Sequence, residues 1–259
     1  MFSTALQMFL LGAVSVAAQE LPITTTDVFV QSGEISASSA NVMARCNDES
    51  STTMTIEFDC GNGNGDCPST QDAMIGPDAD FTHTFVIESL DSYTTYQYTV
   101  TCSGAAAGTG SNTGSFQTAA SEDQEVPIKF VWAADLAGQG YGRNPDFEVT
   151  TVDGNTVQGG YIVFDTMEQL KPDFALFQGD MIYADNSIPP SKEYTNGTEV
   201  LGVWTNNPSK DFIAVTLDEF RDNWKYNFGD DKMQSFLQKT PVFVQWDDHE
   251  VTNNWWPGK

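Results

Sequence analysis

The sequence predicts a two-part chain, an all-β sandwich followed by an α/β domain, and three observations predict it. Between residues 24 and 118 short segments alternate apolar and polar residues and are separated by Gly, Asn, Asp and Ser clusters, the pattern of half-buried antiparallel strands. After residue 127 the pattern changes to continuous apolar runs, Ile128–Ala134, Phe174–Phe177 and Val242–Val244, with helically spaced segments between them. Such runs mark parallel strands buried on both faces, joined by crossover helices. Each run also empties into ionisable residues: Asp135 after the first, Asp180, Tyr183 and Asp185 after the second, Asp247, Asp248 and His249 after the third. In open α/β sheets ligands collect outside the carboxyl ends of the strands, so this rim is where chemistry is expected.

A chain of 259 residues, 40% of them hydrophobic, has room for two ordinary domains with real cores. The formal charge of -25 excludes nucleic acid and anionic membranes as partners, because the field repels phosphate backbones. A small phosphate substrate is not excluded, since bound metal ions invert the local sign. Residues 1–20 carry an apolar run from Met8 to Val16 followed by Ala17 and Ala18, which reads as a secretory signal peptide over residues 1–18. That run is too short to span a membrane and no other stretch reaches eighteen apolar residues, so the expectation is a secreted, extracellular protein with no transmembrane segment. Cys46, Cys60, Cys67 and Cys102 fit disulfides in an oxidising compartment better than zinc. Four cysteines permit three pairings, of which Cys60 with Cys67, around a Gly/Asn-rich turn, and Cys46 with Cys102 is the one expected. Asn196, followed by Gly197 and Thr198, is the one glycosylation sequon, because Asn207 precedes Pro208.

In order along the chain, alternation is clearest in Ala40–Cys46, Thr53–Phe58, His83–Ile87 and Tyr96–Cys102, all assigned to a domain over residues 21–120. The stretch Leu90–Val100 followed by Gly114–Thr118 resembles the tyrosine-bearing end of a fibronectin type III or immunoglobulin-like sandwich. His83 alternates with apolar neighbours and reads as a strand surface residue. The acidic, proline-closed stretch Ala119–Pro127 marks the boundary, and residues 126–259 form the second domain. There Gln139–Gly160 reads as a loop, and Val163, Phe164, Met167 and Leu170 as a helix stopped by Lys171 and Pro172. Asn186–Asp211 reads as a second long loop. Thr216 and Glu219 have capping-box spacing and open a helix through Leu217, Phe220, Trp224 and Phe228, and a short helix over 232–239 precedes the last strand.

The residues at the three strand ends suit metal ions. Carboxylates with one phenol accommodate ferric iron, calcium, manganese or zinc, and Asp180 at a Gly-Asp turn can bridge two ions, which then clamp an in-line displacement on phosphorus. Taken singly the pieces have plainer readings. A Gly-Asp is commonly only a turn, a following tyrosine only packing, Glu250 a supporting or helix-terminal charge, Asp185 a loop residue, Arg221 a surface ion-pair partner, and Trp246, Trp255 and Trp256 wall and core. Four ionisable groups in a row after a buried strand resist such a reading, because burying them unpaired is costly.

Residues Ile128–Trp256 resemble the alkaline phosphatase D (PhoD-like) metallophosphatases through DLAG at Asp135–Gly138, KPDFALFQGDMIYAD at Lys171–Asp185, EFRDNWKYNF at Glu219–Phe228 and WDDHEVTNNW at Trp246–Trp255. The GDxxYAD piece is also similar to that of purple acid phosphatases. The resemblance implies a sandwich preceding a calcineurin-like α/β domain, and a phosphoric ester hydrolase acting on monoesters or diesters through a two-metal centre and a metal-bound hydroxide. It further implies Fe3+ with Ca2+, or else Zn2+ or Mn2+. Asp180 would bridge the metals, Tyr183 would bind iron, Asp248 would hold the second metal, and His249 would contact phosphate and protonate the leaving group. Asp247 is a further metal candidate. Two departures matter. Asp135 stands where the best-known members carry an iron-binding cysteine. The later histidines of metallophosphatases are absent, since His83 and His249 are the only two. The α/β domain is therefore expected to be C-terminally truncated and to hold metal weakly by itself. The alternative is an inactive secreted binding or calcium-binding protein.

Overall fold

The computed structural model describes residues 27–59, 67–104, 109–136, 138–150 and 154–258. Seven strands come first: β1 (Val28–Gly33), β2 (Ser39–Cys46), β3 (Thr53–Asp59), β4 (Gln71–Met74), β5 (Thr82–Glu88), β6 (Thr95–Ser103) and β7 (Gly110–Gln117). They form two antiparallel layers, β5-β2-β1 and β4-β3-β6-β7. Alternation along β2, β3 and β6 points Val42, Ala44, Met54, Ile56, Tyr98 and Val100 inward, where they meet Val28, Val30, Phe85 and Phe116 in one core. The disulfide Cys46–Cys102 crosses between the layers. Cys67 is also disulfide-bonded, whereas its expected partner Cys60 lies outside the described residues, as do the leader and residues 60–66. Tyr96 Oη accepts a 2.9 Å hydrogen bond from the backbone of Asp91, five residues upstream, pinning the corner that enters β6.

Residues 118–129 contain no helix or strand. Beyond them come β8 (Phe130–Ala133), β9 (Glu148–Thr150), β10 (Thr156–Gln158), α1 (Ile162–Gln169), β11 (Phe174–Gln178), β12 (Ser191–Asn196), β13 (Glu199–Thr205), α2 (Leu217–Phe228), α3 (Asp231–Lys239) and β14 (Val242–Gln245). Strands β8, β11 and β14 are parallel neighbours, and β14 also pairs in parallel with β1 through Gly33 and Val242. The sandwich layer and the parallel strands are thus one six-stranded sheet, β5-β2-β1-β14-β11-β8. The helices start as the sequence dictates. Thr216 and Glu219 complete a capping box, and Asp230 caps α3 while also accepting the amide of Tyr161 at the start of α1. Phe164 of α1 and Met233, Phe236 and Leu237 of α3 cover Val131, Ala175, Phe177 and Val242 on one face of the sheet, and Phe228 of α2 stacks on Phe29 of β1 at 4.3 Å.

Three expectations are corrected. The parallel strands are not buried on both faces: Phe130, Trp132 and Phe243 point away from the helices and are 49%, 65% and 36% exposed. An apolar run reports that a strand is apolar, not how many layers pack on it. Trp246, Trp255 and Trp256 are likewise exposed rather than core. The two long loops contain the antiparallel hairpins β9–β10 and β12–β13. Asn196 sits exposed where β12 turns into β13. No helix among the described residues is long and apolar enough to cross a membrane.

Candidate metal centre

The last residues of β11 and β14 deliver the site. Gly179 follows β11 with φ 93°, and a side chain there would meet Asp247, whose N lies 2.7 Å from the Cβ position. Glycine is therefore required both by the left-handed backbone and by the close approach of the two strand-end loops. Asp180 is left-handed too, at φ 53°, an uncommon conformation that short polar side chains tolerate best and that clusters at functional sites. It turns the Asp180 carboxylate toward the loop after β14, where Oδ1 accepts the amide of His249 at 3.1 Å. Ligand atoms of Asp180, Asp248 and His249 all lie within 4.8 Å of one another. Asp248 is shaped by a tight turn: its carbonyl accepts the amides of Val251 and Thr252, and its side chain accepts that of Asn254.

Around this trio the structure distributes the other predicted residues. Tyr183 is buried, donates its hydroxyl to Asp135 Oδ1 at 3.0 Å and stacks on the His249 ring at 4.3 Å. Asp135 follows β8 at φ 59° and is exposed, and its loop is tied to β11 by amides donating to the carbonyls of Gly179 and Asp180. Asp247 is exposed and stands outside the trio. Asp185, which the sequence left between ligand neighbour and loop residue, accepts a 2.7 Å hydrogen bond from His249 Nδ1 and the amide of Asn253 at 2.6 Å. A carboxylate can only accept, so Nδ1 carries the proton and Nε2 faces Asp248 at 4.0 Å.

The electrostatics fit a cation. Burial, with the nearby charges of Glu250 and Asp248, raises the Asp180 carboxyl above its ordinary range despite the amide and charge of His249. Burial and the acceptor Asp135 raise the Tyr183 phenol. Burial alone would lower His249, but its hydrogen bond to Asp185 and the surrounding carboxylates raise it, and Asp185 is lowered in return by Asn253 and His249 against the effect of burial. The Asp180 carboxyl, held at raised pKa beside Asp248, His249 and a phenol, belongs to a donor set that a metal ion would relax, and oxygen with imidazole nitrogen suits iron, manganese, zinc or calcium.

Two residues hold the loops: Lys210, which sequence reasoning passed over, and Glu250, which it read only as a supporting or helix-terminal charge. Buried Lys210 donates to the carbonyls of Tyr183 and Asn186 and to Asn223, and burial lowers its ammonium to about 8 against the pull of Asp185. Glu250, 3% exposed, accepts three backbone amides. No sequence pattern singled out Lys210. A separate apolar cleft of about 980 Å3 lies between the sandwich end and the open sheet face and includes none of the site residues.

The class of protein defined here is a β-rich fold whose parallel strands end in a cluster of side chains of metal-ligand type. The PhoD-like phosphatase model matches residues 130–259, and the chain belongs to that family. A solved structure of PhoD is similar with a TM-score of 0.63 at 19% identity over 90% of this chain, and the chain spans 41% of that structure's length. The fn3 domain of human collagen alpha-1(XX) covers 43% of the chain, 97% of its own, at 16% identity and a TM-score of 0.28. The sensor domain of the anti-sigma factor RsgI4 of Pseudobacteroides cellulosolvens covers 39% of the chain, 99% of its own, at 19% identity and a TM-score of 0.27. No curated protein sequence matches.

Proposed function

We propose that this protein is a secreted, metal-dependent phosphoric ester hydrolase that works through a two-metal centre. The observation that carries the reading is the convergence of Asp180, Asp248 and His249 at the ends of two parallel strands in a chain of the PhoD-like family. Asp180 would bridge, Asp248 would hold one metal, Tyr183 and Asp135 would complete the other side, and Asp247 is the peripheral member. Metal ions supply, when bound, Lewis acidity toward phosphate oxygens and activation of water as the nucleophile. The chain's own residues do the rest. Asp185 fixes the His249 tautomer so that Nε2 faces the cluster, and the raised pKa suits that nitrogen to give a proton to the departing alkoxide. Tyr183, stacked on the imidazole, holds the ring in place. The apolar leader and the Cys46–Cys102 disulfide support an extracellular setting, in which exposed Asn196 is a glycosylation site.

The test is metal analysis together with hydrolysis of a chromogenic phosphomonoester and a phosphodiester by the natural full-length protein and its Asp180→Asn and Asp248→Asn variants. Both variants are expected to lose bound metal and to lower turnover by more than about 100-fold, beyond what removal of an outer partner costs. Unchanged metal content in both would sink the reading and leave a non-catalytic secreted protein.

A further inference from the structure

Two loops carry the ligand residues, and one buried side chain joins them. Glu250 Oε1 accepts the amide of Met181 at 2.7 Å, while Oε2 accepts the amides of Asp180 at 3.1 Å and Asp247 at 2.8 Å. The amides of Asp180 and Met181, successive along the chain after Gly179 at φ 93°, converge on one carboxylate, as neighbouring backbone N–H groups in a turn do when they bind anions. Here the anion belongs to the chain itself. Its third partner is the residue just before Asp248, so one carboxylate fixes both the turn that aims Asp180 and the start of the turn that aims Asp248 and His249. A buried acceptor with three amides leaves no slack: removing it strands the buried amides of Asp180 and Met181 and unties that of Asp247.

We infer that Glu250 is the positioning residue of the metal centre, setting the separation of Asp180 from Asp248 and His249 without itself binding metal. This rests on the proposed metal-binding role of Asp180 and Asp248, beside which His249 acts as proton donor. Glu250→Gln keeps the size of the side chain but points an amide NH2 at backbone N–H groups, and Glu250→Asp keeps the charge but shortens the reach. Mn2+ titration of the full-length protein by calorimetry, with Asp180→Asn alongside, and hydrogen exchange of the metal-free proteins test it. The expected result is that Glu250→Gln weakens Mn2+ binding about 10- to 100-fold, that Glu250→Asp falls between it and the parent, and that amides 180, 181 and 247 lose protection while those of β2 and β6 keep theirs. Mn2+ binding by Glu250→Gln equal to the parent's, while Asp180→Asn fails to bind, would overturn the inference and leave the metal reading intact. No difference between the parent and Asp180→Asn would overturn both. General loss of protection, including β2 and β6, would reduce Glu250 to a folding residue and overturn the positioning role.

Discussion

The sandwich and the parallel strands belong to one sheet yet treat apolar surface in opposite ways. In the sandwich Val28, Val30, Met54, Ile56 and Val100 are 0% exposed, because a second layer of the same chain faces them. The parallel strands have α1 and α3 on one face only. On the other, Phe130 stacks on Phe174 and Phe174 meets Phe243 edge-on, but no helix or sheet among the described residues packs on them, and Phe174 and Phe243 line the cleft toward the sandwich end. The sandwich therefore draws on burial on the inner faces of two layers, and the site-bearing sheet on one face of three short strands. Buried apolar area dominates folding stability, so the scaffold under the candidate metal centre is expected to be the softer of the two regions.

The largest expected effect breaks the sandwich. Replacing both Cys46 and Cys102 by alanine opens a loop of 56 residues' separation and should lower stability by about 4 kcal/mol on loop-entropy grounds, read by urea unfolding. Segment-resolved hydrogen exchange sharpens it: amides of β3 and β6 should lose more protection than those of β11. Equal loss everywhere would mean that the two regions unfold as one unit and that the contrast is only geometric.

A smaller effect is expected at the contact between the regions. Asp80 accepts two hydrogen bonds from Arg45 of β2 and an ion pair from Lys225 of α2 at 3.0 Å. Burial raises its carboxyl, but Arg45 and Lys225 together bring it below the ordinary 3.8. A lowered folded pKa contributes stability that is fully present above the unfolded value and is lost as pH falls through the folded one. Asp80→Asn should cost about 2 kcal/mol at neutral pH by removing the carboxylate that Arg45 and Lys225 share, Arg45 keeping Glu49 and Asn47. The gap should begin to close as pH falls below the ordinary carboxylate value and vanish only below the lowered one, as followed by thermal melts across a pH series. A constant gap down to pH 2 would show that packing, not charge, joins α2 to the sandwich.

The smallest effect is expected on the open face. Trp132→Ser should change stability by no more than about 0.5 kcal/mol, the range of surface substitutions. A loss of 2 kcal/mol or more in calorimetry would mean that this face is covered in solution, and the contrast between the regions would dissolve.

Much of this fold is legible in the sequence where local pattern and tertiary burial agree. The alternation of β2, β3 and β6, the capping box at Thr216 and the apolar spacing of α1 all carry their own signals. Strand β4 does not, because Gln71–Met74 is short and has no residue fully buried. The β12–β13 hairpin left a sign that the polar composition hid: Asn196-Gly197 at its turn, with Gly197 at φ 65°, is the dipeptide favoured in tight hairpins. The ligand candidates could be named because ionisable residues after apolar runs are conspicuous. Their supporting contacts could not be named, since the partners of Glu250 and Lys210 are mostly backbone groups, and main-chain amides and carbonyls have no signature in residue identity. The exposure of Trp132 was illegible for a related reason: whether a second layer exists is a property of topology, not of the strand.

The seam at Gly33 has a consequence for how such chains can be rebuilt. A Cβ at residue 33 would lie 2.6 Å from the carbonyl oxygen of Val242, the first residue of the strand that leads to Asp247, Asp248 and His249. The two halves therefore are not interchangeable modules, as beads on a string would be. A foreign sandwich grafted in front of this candidate metal centre would have to present a glycine at that register, or it would push aside the strand that aims Asp248 and His249.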